Sequence, residues 1–361
     1  MKPVYITHTS AVSPQHQDGI QLFHPLVTDT HGVLRAIEPD YTTEIPPMQL
    51  RRMSRMLRMG VYTGMNCLKR SGIARPDGII TGTGKGSMTD TEKFVKELSE
   101  YQEASLNPTP FILSTYNAIN GAIALQTKAT GYNQTYVHRG SSFEVSLYDA
   151  QLKLHTAPEP QHYLVGCFDE MTSEYFLVKS KIGYWKADRD SSRPLWQQSG
   201  SPGTLAGEGA AFFMLSNSNA GAIAGIHAIQ TAYKTPLTDI GREAHTLISR
   251  TGWRPQEIDM LVLGVNGDER DLPYYEALQQ SFPDTLPILG FKHLCGEYET
   301  SGGFALWMLC QLLDGHTLPD AAWYRRPEGQ AFRPEKILYY NHYRGLNHNL
   351  VLLSNAPVGT R

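Results

Sequence analysis

The stretch Gln134-Thr-Tyr-Val-His-Arg-Gly-Ser-Ser-Phe-Glu-Val-Ser-Leu-Tyr-Asp-Ala150 most constrains the fold. Thr135–Val137 alternates as a short strand, Gly140 breaks it, and Ser141–Ser142 can cap a helix that begins at once. A strand passing through a tight elbow into a helix is a place where enzymes raise a nucleophile, because the helix N-terminus favours developing negative charge. Here the elbow reads Arg139-Gly140-Ser141, with no cysteine beside it.

The flanking sequence places the elbow in a layered α/β chain. Strands are expected at Pro3–Val12, from Gly78 into the Gly82-Thr-Gly-Lys-Gly86 loop, His162–Asp169, Gly207–Leu215, Ala222–Ala232, Ile258–Val265, Pro287–Phe291, Ile337–Tyr340 and Asn349–Leu353. Helices are expected at Pro47–Ser71, Asp90–Tyr101, Tyr148–Leu154, Asp239–Thr251, Asp271–Gln280 and Ser301–Leu313. Residues 15–46 read as loop with one short strand. Pro108–Gln126 reads as an extended, proline-braced segment entering a helix whose Ala118, Gly121, Ala122 and Ala124 allow close helix approach. The Met-rich stripe of Pro47–Ser71 reads as core. The 82–86 loop lacks P-loop spacing and the dinucleotide fingerprint, so it reads as a tight turn. Successive β/α units predict a pseudo-duplicated α/β/α/β/α sandwich, with halves at 1–218 and 219–361.

Composition narrows the function. A length of 361 residues, 41% hydrophobic and 19% charged, gives a globular chain able to bury a large core. A net charge of -3 argues for neither nucleic acid nor an anionic membrane as partner. Cys67, Cys167, Cys295 and Cys310 form no CxxC pair, so a reducing cytoplasm is expected, and Cys167 and Cys295 read as buried filler. No signal-peptide core, membrane-length apolar run, metal motif or cofactor motif is found, and neither metal nor cofactor is expected.

Several further landmarks follow in order: Val4-Tyr-Ile-Thr-His-Thr-Ser-Ala-Val-Ser-Pro14, Ser114-Thr115 with Gly121, the elbow, Gly166-Cys-Phe-Asp-Glu170, Gly207-Glu-Gly-Ala210, and Lys292-His-Leu-Cys-Gly-Glu297 with Gly302-Gly303. In their order and spacing the chain resembles the β-ketoacyl synthases of the thiolase fold. That resemblance implies a Cys-His-His site, in which the thiolate takes an acyl group and the histidines assist decarboxylation and stabilise oxyanions. Carried over residue by residue, the cysteine falls at Gly140 or Ser141, the first histidine at Asn266 and the second at Glu297. The lysine persists as Lys292, its acidic helix partner falls at Leu306, and the glycine-rich gate becomes Asn341-His-Tyr-Arg-Gly345.

Glycine offers no nucleophile, a serine without a base is a weak acyl acceptor, and a carboxylate at 297 has the wrong sign for an enolate. Glu297 therefore reads equally as a buried ion-pair partner for Lys292 or Arg139. His138 and His293, beside these positions, read as structural. The resemblance is thus to the chain-length-factor subunit of type II polyketide systems, and most to that of aryl polyene or flexirubin-type pathways. It implies a catalytically degenerate subunit of a heterodimeric β-ketoacyl-carrier-protein synthase, paired with an active ketosynthase and meeting acyl carrier protein indirectly. The strand Thr135–Arg139, with Tyr136 and His138, would pair across the interface, and Phe111, Thr115 and Tyr116 would end the acyl tunnel. Two alternatives stay open: a homodimeric acyl or carrier-protein binding module, and a thioester hydrolase or decarboxylase using Ser141 or Glu297.

Overall fold

The computed structural model describes residues 2–17, 22–28, 32–187, 194–327 and 332–356, so part of the turn-rich 15–46 stretch lies outside it. The N-terminal elements are β1 (Val4–Val12), β2 (Val33–Leu34), α1 (Pro47–Leu50), α2 (Arg55–Ser71), β3 (Gly78–Gly82), α3 (Met88–Glu100), α4 (Pro108–Leu113), α5 (Ala118–Thr127), β4 (Tyr132–Tyr136), α6 (Ser142–Thr156), β5 (His162–Asp169), α7 (Ser173–Lys181), β6 (Ala206–Gly207) and β7 (Gly209–Ser216). They are followed by β8 (Ala224–Tyr233), α8 (Ile240–Arg250), β9 (Met260–Leu263), α9 (Leu272–Gln279), β10 (Ile288–Gly290), α10 (Lys292–Cys295), α11 (Gly302–Leu313), β11 (Trp323–Arg325), β12 (Lys336–Tyr343) and β13 (Asn347–Asn355).

Eleven strands are hydrogen-bonded in the order β11-β10-β9-β12-β13-β8-β1-β7-β5-β3-β4. The register between β1 and β8 covers only Val4–Ile6 against Ile226–Ala224, a short join between two groups of strands. Alternation along each strand shows what covers its faces. Ile79 and Leu164 join the cluster with Met56, Met59 and Ile123 of α2 and α5, whereas their neighbours Ile80 and Val165 join Phe143 and Trp307 of α6 and α11. In the other group, Leu261 and Leu338 pack with Ala244 and Tyr275 of α8 and α9, while Val262 and Ile337 face the same α6/α11 cluster. The layers are therefore helix, sheet, helix, sheet, helix, as expected. Helix α11, buried from Gly302 through Cys310, is apolar all round because it lies at the centre.

Three local expectations are corrected. The helix expected over Pro47–Ser71 is broken: Ser54 is extended (φ -64°, ψ 167°) and α2 restarts at Arg55, whose guanidinium reaches the buried Glu208 at 2.8 Å. Pro108–Leu113 is helical rather than extended, because Asn107 Oδ1 accepts the Thr109 N–H at 3.0 Å and Pro108 occupies the first turn. The close helix approach comes from Gly60 and Gly64 of α2, where an added Cβ would collide with Ile119 and Ile123, while Gly121 of α5 faces open space.

Candidate functional site: a filled elbow

Strand β4 ends at Tyr136, short of the expected Arg139, and a 3-10 turn over Arg139–Ser141 leads into α6. Arg139 takes a left-handed φ of 50°. The expected cap by Ser141 is not made. Ser142 Oγ instead accepts the His138 N–H at 2.8 Å and donates to Arg139 O at 2.7 Å, bracing the turn. Ser141 Oγ is buried and makes no hydrogen bond among the described residues, so no base activates it. His138 and Arg139 are exposed.

Gly140 is buried, and its carbonyl accepts from Asn349 Nδ2 at 2.7 Å. A side chain cannot be added there: a Cβ would overlap Tyr343 Cβ and lie 2.8 Å from Tyr343 Cγ. Tyr343 on β12 thus occupies the space a side chain at 140 would need.

The other resemblance-derived positions meet in one buried cluster. Lys292 Nζ donates to Glu297 Oε2 at 2.7 Å and to His342 O at 3.2 Å. Asn266 Nδ2 donates to Glu297 Oε2 at 3.0 Å and Asp271 Oδ2 at 2.8 Å. Of the two expected partners for Glu297, Lys292 is the one it meets. Burial pushes the Glu297 carboxyl up, offset by the Lys292 charge and the hydrogen bonds from Lys292 and Asn266. His342 Nδ1 accepts the Gly345 N–H at 2.9 Å, and burial holds its pKa well below the ordinary histidine value. Leu306 and Glu144 of α6 line the same small cavity: burial raises the Glu144 carboxyl to about 7, while a Tyr339 hydroxyl at 2.9 Å and the Lys292 charge act to lower it.

Sequence reasoning missed the groups that fill the space around Tyr343. Its hydroxyl donates to Glu299 Oε1 at 3.0 Å and accepts from Lys179 Nζ at 2.7 Å, with Tyr184 Oη at 3.3 Å. Burial pushes Glu299 up, but the Lys179 and Lys85 charges hold it below the usual carboxylate range. Asp169, raised to about 7 by burial and by the Glu299 charge, accepts from Thr83 Oγ1 and the Gly84 N–H, both at 2.9 Å. That carboxylate, carried by β5, is bound by the 82–86 loop, which is a tight turn. Helix α7 was not anticipated, although Tyr184-Trp185 and the paired Glu297 and Glu299 were visible signals.

The expected tunnel and interface residues lie on an exposed face. Phe111 and Tyr116 are 56% and 50% exposed, Thr115 is exposed, and Tyr136 is half-buried on the edge strand β4. Phe111 packs on Phe94 with ring centres 5.3 Å apart. His293 stacks edge-on against Trp196 at 4.2 Å and burial lowers its pKa to about 3, a structural residue. All four cysteines are buried. No group of three or more metal-ligating side chains and no helix long and apolar enough to cross a membrane is found among the described residues.

This architecture is the thiolase-like ketosynthase fold, a mixed sheet flanked by helices. Residues 31–182 match the family described as the N-terminal domain of β-ketoacyl synthases. A β-ketoacyl synthase from Burkholderia phymatum STM815 superposes with a TM-score of 0.80 at 15% identity, over 99% of this chain and 100% of that one. The ishigamide ketosynthase/chain length factor gives 0.76 at 18% identity, over 99% and 100%. The AntDE:AntF complex, a type II acyl-carrier protein with its ketosynthase, gives 0.73 at 13% identity, over 98% and 100%. No curated protein sequence matches the chain.

Proposed function

We propose that this chain is a non-catalytic, chain-length-factor-like subunit that pairs with an active ketosynthase and shapes its acyl tunnel, in a pathway of the aryl polyene or flexirubin type. The observation that carries this reading is the filled elbow: Gly140 has no nucleophile and Tyr343 stands in its place. The buried Lys292–Glu297 pair adds to it, since a carboxylate there opposes the charge that condensation develops. In this reading residues 1–218 and 219–361 are the two duplicated halves, and Gly140, Ser141, Asn266, Lys292 and Glu297 are decayed catalytic positions.

The exposed face supports pairing. Among the described residues strand β4 ends the sheet with an unpaired edge, and an exposed edge strand is a template for another chain. Phe111, Ile112, Tyr116, Leu125 and Val137 are each at least 40% exposed, apolar side chains that a partner subunit could cover. Two structural neighbours carry ketosynthase/chain-length-factor and ketosynthase/carrier-protein names, in keeping with a ketosynthase partner and an indirect meeting with acyl carrier protein.

The experiment is co-expression with a ketosynthase homologue that keeps its cysteine, followed by size exclusion and product analysis. A stable 1:1 complex with condensing activity, against none for either chain alone, is expected. A chain that stays a homodimer in the presence of such homologues refutes the proposal.

A further inference from the structure

The hairpin of β12 and β13 ends on a turn whose backbone is gripped from both strands. Arg344 and Gly345 take left-handed φ of 55° and 59°, and a Cβ on Gly345 would come within 2.6 Å of the Tyr274 ring, so the turn is tight and closely packed. His342 and His348 face each other in register across the hairpin, both buried, with ring centres 5.6 Å apart. The Gly345 N–H can only donate, so His342 Nδ1 accepts it at 2.9 Å, and the ring proton sits on Nε2, 3.2 Å from Asp271 O. The Gly345 carbonyl can only accept, so His348 Nε2 donates to it at 3.1 Å, and its bare Nδ1 accepts from the Tyr340 hydroxyl at 3.0 Å. Two neutral imidazoles of the same tautomer thus hold both backbone groups of one residue.

This turn is also where the elbow is covered. Tyr343 and Asn347 are the last register pair of the hairpin, and the Leu346 N–H donates to Tyr343 O at 3.1 Å. Tyr343 Cβ and Cγ lie over Gly140, placed there by the end of β12, and Asn349 of β13 donates to Gly140 O at 2.7 Å. The position of the Tyr343 backbone therefore decides whether the elbow is filled.

We infer that His342 and His348 are positioning residues that clamp the hairpin end over the elbow, and that the clamp opens by taking up a proton at His342. A proton on Nδ1 turns the acceptor of the Gly345 N–H into a second donor, whereas a protonated His348 still donates to Gly345 O. Among the described residues, the groups facing His342 are Lys292, bonded to its carbonyl and paired with Glu297, Asp271, whose carboxylate accepts from Asn266, Tyr274 and Tyr275 of α9, Tyr340, and His348. Burial first, then the Lys292 charge and His348, hold the imidazole well below its ordinary value of 6.5, so it is neutral while the hairpin is closed. An opened hairpin returns it toward that value and binds the proton more tightly. The clamp is therefore complete above about pH 6.5 and weakens as pH falls below it. It lies within one chain, so its failure is distinguishable from failure of pairing.

The test is amide hydrogen exchange of the full chain, read by mass spectrometry on peptides covering 343–347 and 139–143 and corrected for chemical exchange rates. Peptides of α11 report global unfolding. Near neutral pH, His342→Phe keeps a ring and loses the acceptor, and is expected to lower protection about tenfold in both segments, the size of one hydrogen bond. His342→Asn, whose Oδ1 replaces Nδ1, keeps most of that protection. Below about pH 6.5 the parent is expected to lose about tenfold more protection per pH unit than His342→Asn, which takes up no proton there, while α11 stays protected. Matching pH profiles for these two, or a loss confined to 343–347 with 139–143 unchanged, overturns the inference. Should either variant fail to fold, the parent's own profile decides: joint loss in both segments below about pH 6.5 supports the clamp, and a flat profile overturns it.

Discussion

Placing a thiol at the elbow should fail for a steric reason that can be measured. Gly140 is not among the glycines with positive φ, so Gly140→Cys meets no backbone penalty. It meets Tyr343 instead: the new Cβ would overlap Tyr343 Cβ and lie 2.8 Å from Cγ, atoms close to the β12 backbone that no rotamer change can remove. Overpacking of this kind costs ~1–3 kcal/mol. Tyr343→Gly relieves the clash but empties an aromatic site and strands Lys179 and Glu299, at about 3–5 kcal/mol. The two changes therefore couple favourably, and the double variant should be more stable than the summed single effects by about 1–3 kcal/mol. Urea unfolding of the four proteins followed by circular dichroism reads this cycle. Carrier-protein acylation should stay absent in Gly140→Cys, because the thiol would be buried under Tyr343. Additive effects, or a Gly140→Cys chain as stable as the parent that accepts an acyl group, would refute the reasoning.

Lys292→Met should cost about 3–5 kcal/mol by leaving Glu297 buried without its cation, while Lys292→Met with Glu297→Gln should recover much of that, read by thermal unfolding. Phe111→Ala is expected to leave the isolated chain's stability within about 1 kcal/mol, since its ring is 56% exposed, and to lengthen products of the assembled complex, read by mass spectrometry. Glu144, at about 7 in the folded chain against 4.5 as its ordinary value, binds its proton more tightly when folded, so stability falls as pH rises from about 4.5 through about 7. Glu144→Gln can still accept from Tyr339 and escapes that loss. It should gain on the parent by about 1–3 kcal/mol at pH 8 and keep no such gain near pH 4.5, measured by urea titrations across that range.

The layered fold was legible because strand residues alternate between two buried faces, as Ile79 and Ile80 do, and because the landmarks keep their order. The prolines at 108 and 110 misled, since Pro at a first helical turn and Pro in an extended segment look alike until Asn107 is seen to cap the turn. The sequence showed no cysteine at the elbow and offered Lys292 or Arg139 as the partner of Glu297, of which Lys292, five residues earlier, is the one it meets. It missed Lys179 and Glu299, whose meeting with Tyr343 spans 164 and 44 residues of chain. It also read α7 as nothing, because a helix with lysine inward and leucine outward breaks the usual amphipathic pattern.

Why the landmark acids suit this frame follows from what their side chains touch. Asp169 Oδ1 accepts from Thr83 and Gly84, and its Oδ2 accepts from the Thr300 N–H at 3.0 Å and hydroxyl at 2.7 Å, joining β5 to the turn before α11. Glu208, fully buried, accepts from the N–H groups of Ala36 at 3.0 Å and Met171 at 3.1 Å and pairs with Arg55 and Arg35. Removing either carboxylate would strand several buried donors, each costing about 1–3 kcal/mol. None of these contacts involves an acyl group. The packing alone gives reason to keep both acids, whereas Gly140 leaves no room for a side chain and Glu297 is held by Lys292 and Asn266. A chain can therefore keep the ketosynthase frame while its elbow closes around Tyr343.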